Sequence, residues 1–178
     1  SNAFMFGFWK NKRIVLFDTL IQQLNEDEIV AVLGHELGHW FHGHTLKMLL
    51  ANLGMIASIC YAARELIFNK QLYSDFGFGK TLRHGERNEI PSPVIGFELF
   101  SDLVWSPLGE IISVLMVLVS RRFEFQADEF ACEHGYGKEL YVGLTKINKE
   151  NLGNLTPDWL YAALRFSHPV LPERLEFI

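Results

Sequence analysis

The sequence predicts a mainly α-helical protein with a β-hairpin at its N-terminus and two candidate membrane helices. Apolar residues recur at steps of three and four over long segments, and helix-capping residues precede several of them. Hydrophobic residues fill 49% of the 178 positions and charged residues only 21%, which gives a mean hydropathy of +0.11. This composition argues against a disordered chain and raises the question of a membrane.

Charge and cysteine content exclude further classes of protein. The formal net charge of −5 offers no cationic surface for a phosphate backbone, so we expect no nucleic-acid partner. The two cysteines, Cys60 and Cys132, are too few for a disulfide framework or a multi-cysteine zinc ribbon.

Residues 1–20 are predicted to form a β-hairpin at the edge of the fold. Phe4–Trp9 and Arg13–Phe17 are rich in aromatic and β-branched residues, which favour strands. We expect the polar residues between them to form the connection.

An amphipathic helix is predicted over residues 25–43. It starts with a capping box, in which Asn25 is the N-cap and Glu28 is the third helical residue. Apolar residues then follow at steps of four, four and three, at Ile29, Leu33, Leu37 and Trp40. This spacing places them on one face of the helix, which we expect to end near Gly43.

Two apolar segments, residues 45–68 and 97–119, are candidate membrane helices. Met48–Ala63 contains no charged residue, whereas acidic residues interrupt the second segment. Neither reaches the roughly 18 uncharged residues that identify a spanning helix by themselves. On hydropathy alone, a buried helix of a soluble domain therefore stays open as an alternative.

The remaining segments are assigned by composition. Residues 69–93 are polar and rich in glycine and charge, so they are predicted to form a loop that is either mobile or functional. Residues 120–135 are predicted to form a helix that ends at Gly135. Residues 136–178 are predicted to form C-terminal helices and a tail.

The clearest motif is His35-Glu36-Leu37-Gly38-His39, which has the pattern H-E-x-x-H. On a helix, the two histidines lie one turn apart on the same face, where both rings can reach one metal ion. Glu36 lies beside that face, where it can take a proton from water. His42 lies about 10 Å along the axis from His35, which is too far to share an ion comfortably.

A catalytic zinc of this kind needs a third protein ligand. Glu124 is a candidate, with Asp128 one helical turn further on. One carboxylate can bind the metal while the other orients a histidine ligand. Alternatively, the two acids are solvated and balanced by Arg121 and Arg122. The spacing alone leaves both interpretations open.

Several separated segments, in the same order, resemble the type I CAAX prenyl proteases, which are integral-membrane zinc metallopeptidases that process farnesylated proteins. The segments that carry this resemblance are residues 35–40, Ser120–Asp128, Asp158-Trp159 and Ser167-His168-Pro169. Lys10–Asp18 is also similar to that family. The resemblance implies the helices of a gluzincin-type zinc peptidase.

The resemblance assigns a role to each residue of the motifs. It implies that His35, His39 and Glu124 bind one zinc ion per chain and that Glu36 is the general base. Asp128 takes a supporting or proton-donating role.

The resemblance also implies substrate contacts. His168 and Arg174, in an H-P-x-x-x-x-R arrangement, would polarise the scissile carbonyl or hold the substrate carboxylate. Asn2, Ala3 and Phe4 match a strand beside the cleft, along which a substrate backbone can pair. For His168, a loop histidine bonded to nearby backbone is the alternative.

The resemblance further implies a function, a compartment and an extent. The expected function is hydrolysis of the peptide bond after a prenylated cysteine in a C-terminal CAAX motif, which releases the AAX tripeptide. Expected partners are a farnesylated CAAX protein or peptide and membrane lipid. The expected location is the endoplasmic reticulum membrane, multi-pass, or the inner nuclear membrane. Since family members carry further membrane helices, residues 1–178 are expected to be a single catalytic domain fragment, the C-terminal portion. A membrane zinc peptidase of general quality-control specificity and a non-catalytic membrane scaffold are the alternatives.

Overall fold

The computed structural model describes residues 3–8, 11–77 and 92–178. Its two strands are β1 (Ala3–Phe8) and β2 (Asn11–Leu16). The helices of the first half are α1 (Asp18–Gln23), α2 (Glu26–Phe41), α3 (His44–Ile67) and α4 (Lys70–Asp75). Those of the second half are α5 (Pro93–Phe100), α6 (Ser106–Glu133), α7 (Gly137–Glu150), α8 (Trp159–Arg165) and α9 (Leu171–Phe177). The predicted mainly α-helical class is confirmed.

The predicted N-terminal hairpin is confirmed as an antiparallel pair whose register runs from Ala3 opposite Leu16 to Phe8 opposite Asn11. The second strand begins two residues earlier than predicted, at Asn11. Trp9 and Lys10, which the prediction placed at the end of the first strand and in the connection, lie outside the described residues.

The chain divides into two compact units, Ser1–Lys47 with Val114–Ile178, and Met48–Ser113. In the first unit, apolar residues of the hairpin, α1 and α2 form one buried cluster around Leu20, Leu24 and Val32. A second cluster joins α2, α6 and α7 through Ala31, Ala131 and Leu140.

Helix α2 begins and ends as its sequence predicts. The Asn25 side chain accepts from the Glu28 N–H at 2.9 Å, and Glu28 accepts from the Asn25 N–H at 3.0 Å. At the other end Gly43 adopts φ +66°, a left-handed conformation that glycine reaches without strain. The turn leads directly into α3 at His44.

Helix α2 packs very closely on α6 at Gly38. A Cβ atom at this position would lie 3.0 Å from Ala127 Cα and 3.0 Å from Phe130 Cβ. At Gly34, one turn earlier, the nearest atom to such a Cβ is Ala131 Cβ at 3.5 Å. Glycine at position 38 therefore sets how closely the two helices approach.

Beyond residue 68, the structure differs from the prediction in two places. Within the predicted polar segment 69–93, residues Lys70–Asp75 form α4, because Asn69 caps the N–H groups of Gln71 and Leu72. Residues 78–91 of that segment lie outside the described structure.

The other difference lies in the predicted segments 97–119 and 120–135, which belong to one continuous helix, Pro93–Glu133. Pro107 has no N–H to donate, and a π-helical turn at Ser101–Trp105 directly precedes that region. Residues 119–121 contain no helix breaker, so the helix continues.

Two helical segments have the length and apolar composition of membrane spans. These are His44–Ile67, with 24 residues, and Pro93–Glu133, with 41 residues. The apolar stretch of neither is buried within the described structure, which differs from a core helix of a soluble domain. Large apolar side chains of α3 are exposed at Leu46, Leu49, Leu50, Leu53 and Ile56. Long apolar helices with outward-facing side chains are features of a membrane protein.

Replacement of Gly38 by alanine is expected to destabilise the first unit. The new methyl group meets the Ala127 backbone, which cannot move aside, so overpacking costs about 1–3 kcal/mol in the free energy of unfolding. Gly34→Ala is the matched control. Its methyl group reaches ordinary van der Waals distance and gains up to about 1 kcal/mol from helix propensity. Chemical unfolding of both variants in detergent measures the difference. Equal stabilities would contradict the close approach.

The ion pair between Glu28 and Lys146 is expected to make stability depend on pH. Lys146 Nζ lies 2.7 and 2.8 Å from the two carboxylate oxygens. Burial opposes ionisation of Glu28, but the hydrogen bonds from Lys146 and Asn25 lower its pKa below the ordinary value. The resulting stabilisation is present above the ordinary carboxyl pKa and is lost as pH falls through the lowered folded-state pKa.

Lys146→Met is expected to lower the free energy of unfolding by about 1 kcal/mol at neutral pH, since the half-exposed ammonium is screened by water. This difference in unfolding free energy shrinks as the pH falls through the lowered folded-state pKa of Glu28, because the carboxyl group is then protonated in both proteins. Lys149→Met, an exposed change on the same helix, is the control. A deficit that stays constant with pH would refute the linkage.

Candidate metal centre and active site

Helix α2 brings the two histidines of the H-E-x-x-H motif together, one turn apart. The Nε2 atoms of His35 and His39 lie 3.2 Å from each other. His35 is buried, and His39 is half-buried. Burial and the neighbouring His35 lower the pKa of His39 to about 4, so its ring is neutral at physiological pH. A neutral imidazole is the form that binds a metal.

Helix α6 places Glu124 opposite the two histidines. Its Oε2 lies 3.7 Å from His35 Nε2, and its Oε1 lies 3.5 Å from His39 Nε2. Glu124 is buried, with 5% of its surface exposed. The close contact between α2 and α6 at Gly38 holds the three side chains at this spacing.

The three donor atoms fit a metal ion. A tetrahedral ion with bonds of 2.0–2.1 Å requires its ligand atoms to lie about 3.3 Å apart. The two histidine nitrogens are 3.2 Å apart, and Glu124 lies 3.5 Å from His39 Nε2 through Oε1 and 3.7 Å from His35 Nε2 through Oε2. One ligand atom from each residue lies within 4.8 Å of the other two, so a small movement of the side chains brings all three to one ion. Two imidazole nitrogens and one carboxylate also leave a fourth position open for water or substrate.

Asp128 binds His35 at Nδ1, the ring nitrogen that does not face His39 and Glu124. The carboxylate is fully buried, and its Oδ1 accepts a hydrogen bond of 2.8 Å from His35 Nδ1. The lone pair of His35 Nε2 then faces the other donors. Because Glu124 and Asp128 are both buried, the alternative of two solvated acids does not describe this site. Arg121 pairs with Glu173 on α9 instead.

Arg174 also binds the carboxylate of Asp128. Its Nε donates to Asp128 Oδ2 at 2.8 Å and its Nη2 to Oδ1 at 2.6 Å, while Nη1 lies 3.7 Å from Glu124 Oε2. Burial opposes its charge, but the hydrogen bonds with Asp128 raise the pKa of the guanidinium above its ordinary value. The structure thus places Arg174 as the partner of Asp128. Its expected contact with substrate stays a prediction.

His168 lies on the segment before α9, at the open side of the site. Its Nδ1 is 3.0 Å from Glu124 Oε1, and 70% of its side chain is exposed. The hydrogen bond to Glu124 raises the pKa of His168. A side-chain carboxylate is therefore a partner of this ring, which differs from the alternative of a loop histidine bonded only to nearby backbone.

Glu36 and the metal-ligand group share a cavity of about 460 Å³. Burial raises the pKa of Glu36 above its ordinary value. The polar lining residues are His35, Glu36, His39, Thr45, Glu124, His168 and Arg174. The apolar lining residues are Ala3, Leu20, Val32, Leu140, Leu144 and Ile147. This volume is in the usual range for a small-molecule or peptide side-chain pocket.

The predicted substrate strand is only partly described. Ala3 is buried and lines the cavity. Asn2 lies outside the described residues, and for Phe4 the structure describes the strand but not the side chain. The assignment of Asn2, Ala3 and Phe4 to substrate binding stays a prediction.

Two further residues, which no sequence motif indicates, form hydrogen bonds that lead away from His39. His44 Nδ1 lies 2.9 Å from His39 Nδ1, and His44 Nε2 lies 3.0 Å from Gln126 Oε1. The signal for His44 was Gly43, which ends α2 and allows the next residue to fold back towards the histidines. Gln126 had no separate signal, since its partner is 82 positions away.

A scan against family models matches residues 1–178 to Peptidase family M48. The chain belongs to this peptidase family. The predicted resemblance is confirmed, and the two H-E-x-x-H histidines with Glu124 form a group that could hold a metal ion.

Curated relatives of this M48 chain carry a more specific name. A "CAAX prenyl protease 1 homolog" from Arabidopsis thaliana is 46% identical over 180 residues, which is 100% of this chain and 40% of the relative. A human protein of the same name is 38% identical over 214 residues, covering 99% of this chain and 43% of the relative. The chain therefore spans about two-fifths of the length of these relatives.

The fold of the M48 chain also matches a solved structure, the crystal structure of S. mikatae Ste24p. The TM-score is 0.78 at 34% identity, over 99% of this chain and 41% of the other.

Proposed function

We propose that this chain is the catalytic portion of a membrane zinc metalloendopeptidase that cleaves after the prenylated cysteine of C-terminal CAAX sequences and releases the AAX tripeptide. The convergence of His35, His39 and Glu124 beside Glu36, at one cavity, carries the proposal. The names of the curated relatives support the choice of substrate.

The donor set favours zinc as the resident metal. Two histidines and one glutamate with an open fourth position are a ligand set of catalytic zinc in peptidases. A zinc ion held there would supply Lewis-acid activation of water and of the scissile carbonyl. One ion per chain is proposed.

Glu36 is proposed as the general base. Its carboxylate lies in the cavity beside the metal ligands, so an oxygen of Glu36 can accept the proton of the attacking water. The same carboxyl group then returns the proton to the leaving amine.

Three further residues are proposed to prepare the site. Asp128 holds the ring of His35 through Nδ1, and Arg174 holds Asp128 with two hydrogen bonds. His168 is exposed at the open side, where it can donate a hydrogen bond to the developing oxyanion. Arg174 and the strand residues Asn2, Ala3 and Phe4 are proposed to bind substrate.

The surroundings of the cavity suit an apolar, membrane-associated substrate. Aliphatic side chains of α1, α2 and α7 line the cavity, which suits the aliphatic residues of a CAAX sequence. The helices His44–Ile67 and Pro93–Glu133 are proposed to lie in the membrane, with lipid as their partner. The family resemblance supports the endoplasmic reticulum or inner nuclear membrane as the location.

Glu36→Gln is expected to keep zinc and to lose hydrolysis. The amide cannot accept the proton, so turnover falls by about 10²–10⁴-fold or more, while the metal ligands are unchanged. Metal analysis and cleavage of a farnesylated CAAX peptide measure the two properties. Glu133→Gln, at the exposed end of α6, is the matched control. Undiminished turnover by Glu36→Gln would overturn the mechanism.

A farnesylated CAAX peptide is expected to be cleaved at least about tenfold more efficiently than the same peptide without its lipid. Burial of a few prenyl carbons, at about 0.8 kcal/mol each, supplies this preference. Comparison of kcat/KM for the two peptides in lipid nanodiscs tests it. Equal efficiencies would contradict the prenyl preference and indicate a peptidase of general quality-control specificity.

A further inference from the structure

Two consecutive hydrogen bonds link the proposed metal ligand His39 to His44 and His44 to Gln126. His39 Nδ1 is 2.9 Å from His44 Nδ1, and His44 Nε2 is 3.0 Å from Gln126 Oε1. His39 is the ligand on α2, His44 is the first residue of α3, and Gln126 lies on α6 two positions after Glu124. None of these contacts is part of the metal-ligand group itself.

With a neutral His44 ring, these two hydrogen bonds run in one direction. Gln126 Oε1 is an acceptor, so His44 Nε2 carries the hydrogen. In a neutral ring, His44 Nδ1 then has a lone pair, and it accepts from His39 Nδ1–H. His39 Nε2 is left with its lone pair, and this atom faces His35 and Glu124.

The reverse direction is incompatible with a metal ligand. If His44 donated through Nδ1, His39 would accept there and carry its hydrogen on Nε2. That hydrogen would occupy the position at which His39 meets the other donors. The acceptor at Gln126 therefore decides whether the ring of His39 can bind a metal.

The position of His44 is fixed by its surroundings. Only 3% of its surface is exposed, and its ring stacks on Phe123 with centroids 4.0 Å apart and planes 7° from parallel. Gly43, with φ +66°, allows the backbone to turn so that this ring points back to His39.

We propose that His44 and Gln126 are positioning residues that hold His39 in the tautomer and orientation required of a metal ligand. This inference rests on the metal centre of the proposed function. Asp128 supports His35 with a carboxylate, and the His44–Gln126 pair supports His39 with neutral groups. Loss of such a supporting hydrogen bond costs about 10–100-fold in metal affinity in other proteins.

The test uses a pair of substitutions at His44 that separates hydrogen bonding from packing. His44→Asn retains an acceptor, because its Oδ1 takes nearly the position of His44 Nδ1. His44→Leu has a similar size but accepts no hydrogen bond. Gln126→Met removes the acceptor at the far end. His134→Leu is the matched control, since His134 is exposed at the end of α6.

The measurement is the zinc dissociation constant of the whole chain, by competition with a chelating dye. We expect His44→Leu to raise it about 10–100-fold, and His44→Asn and His134→Leu to stay within about threefold of the parent. Gln126→Met is expected to weaken zinc binding in the same direction. Long-range ¹H–¹⁵N spectra of the metal-free parent should show the His39 hydrogen on Nδ1.

Three results would overturn the proposal. If the His44→Leu variant binds zinc as tightly as the parent, His39 needs no support from residue 44. If the His44→Asn variant binds zinc as weakly as His44→Leu, packing alone explains the effect. If the hydrogen of His39 is found on Nε2, the hydrogen bond between His39 and His44 runs in the opposite direction. If His44→Leu does not fold, unchanged affinity of Gln126→Met decides against the proposal. Absence of zinc binding by the parent would refute the metal centre as well, whereas normal zinc in every variant refutes only the positioning role.

Discussion

The close approach of α2 and α6 is the contact on which the site depends. The two helices meet where Gly38 faces the backbone of Ala127, with no room for a side chain between them. Glycine costs helix stability at this position, and packing of Ala31 and Ala131 in the shared core offsets it. His35 and His39 flank the glycine on α2, and Glu124 and Asp128 flank the alanine on α6. A wider spacing would separate the donors beyond the reach of one ion.

Buried charge is the second feature that the contact creates. The carboxylates of Glu124 and Asp128 are 5% and 0% exposed, and removing each from water costs several kcal/mol unless a partner compensates. Arg174 is bound to Asp128 and lies near Glu124, and His168 contacts Glu124 from the exposed side. A metal cation would complement these carboxylates and the inward lone pairs of His35 and His39. The site is therefore electrostatically prepared for a metal ion before substrate arrives.

The amino-acid sequence was sufficient to predict helix α2 and the face on which its histidines lie. The capping box of Asn25 and Glu28 and the apolar spacing located α2, and the step of four placed His35 and His39 on one face. The spacing of Glu124 left open whether it is a metal ligand or a solvated acid, because only the packing of α6 on α2 decides whether it meets the histidines. The boundary predicted near residue 120 is absent, since a rise in polarity does not interrupt a helix. Short α4 was missed because its Asn69 cap lies within a polar run.

The contacts of His44, Gln126 and Arg174 could not be predicted for a common physical reason. Each depends on the tertiary arrangement of elements far apart in sequence, such as the 82 positions between His44 and Gln126. Periodicity reports which face of an element is apolar, but it carries no information on which polar groups meet across two packed faces. Hence the sequence indicated the candidate ligands and the supporting role of Asp128, but not the contacts of His44, Gln126 and Arg174.

The two proposed histidine ligands differ in the charge of their proposed supports, and this difference would have a chemical consequence. Asp128 is an anion and makes His35 a stronger electron donor, whereas the neutral His44 leaves His39 a weaker one. A third anion beside Glu124 and Asp128 would further reduce the positive charge that a bound metal presents to water and to the substrate carbonyl. The metal would then be a weaker Lewis acid. A neutral support at His39 would fix the ring and preserve that charge.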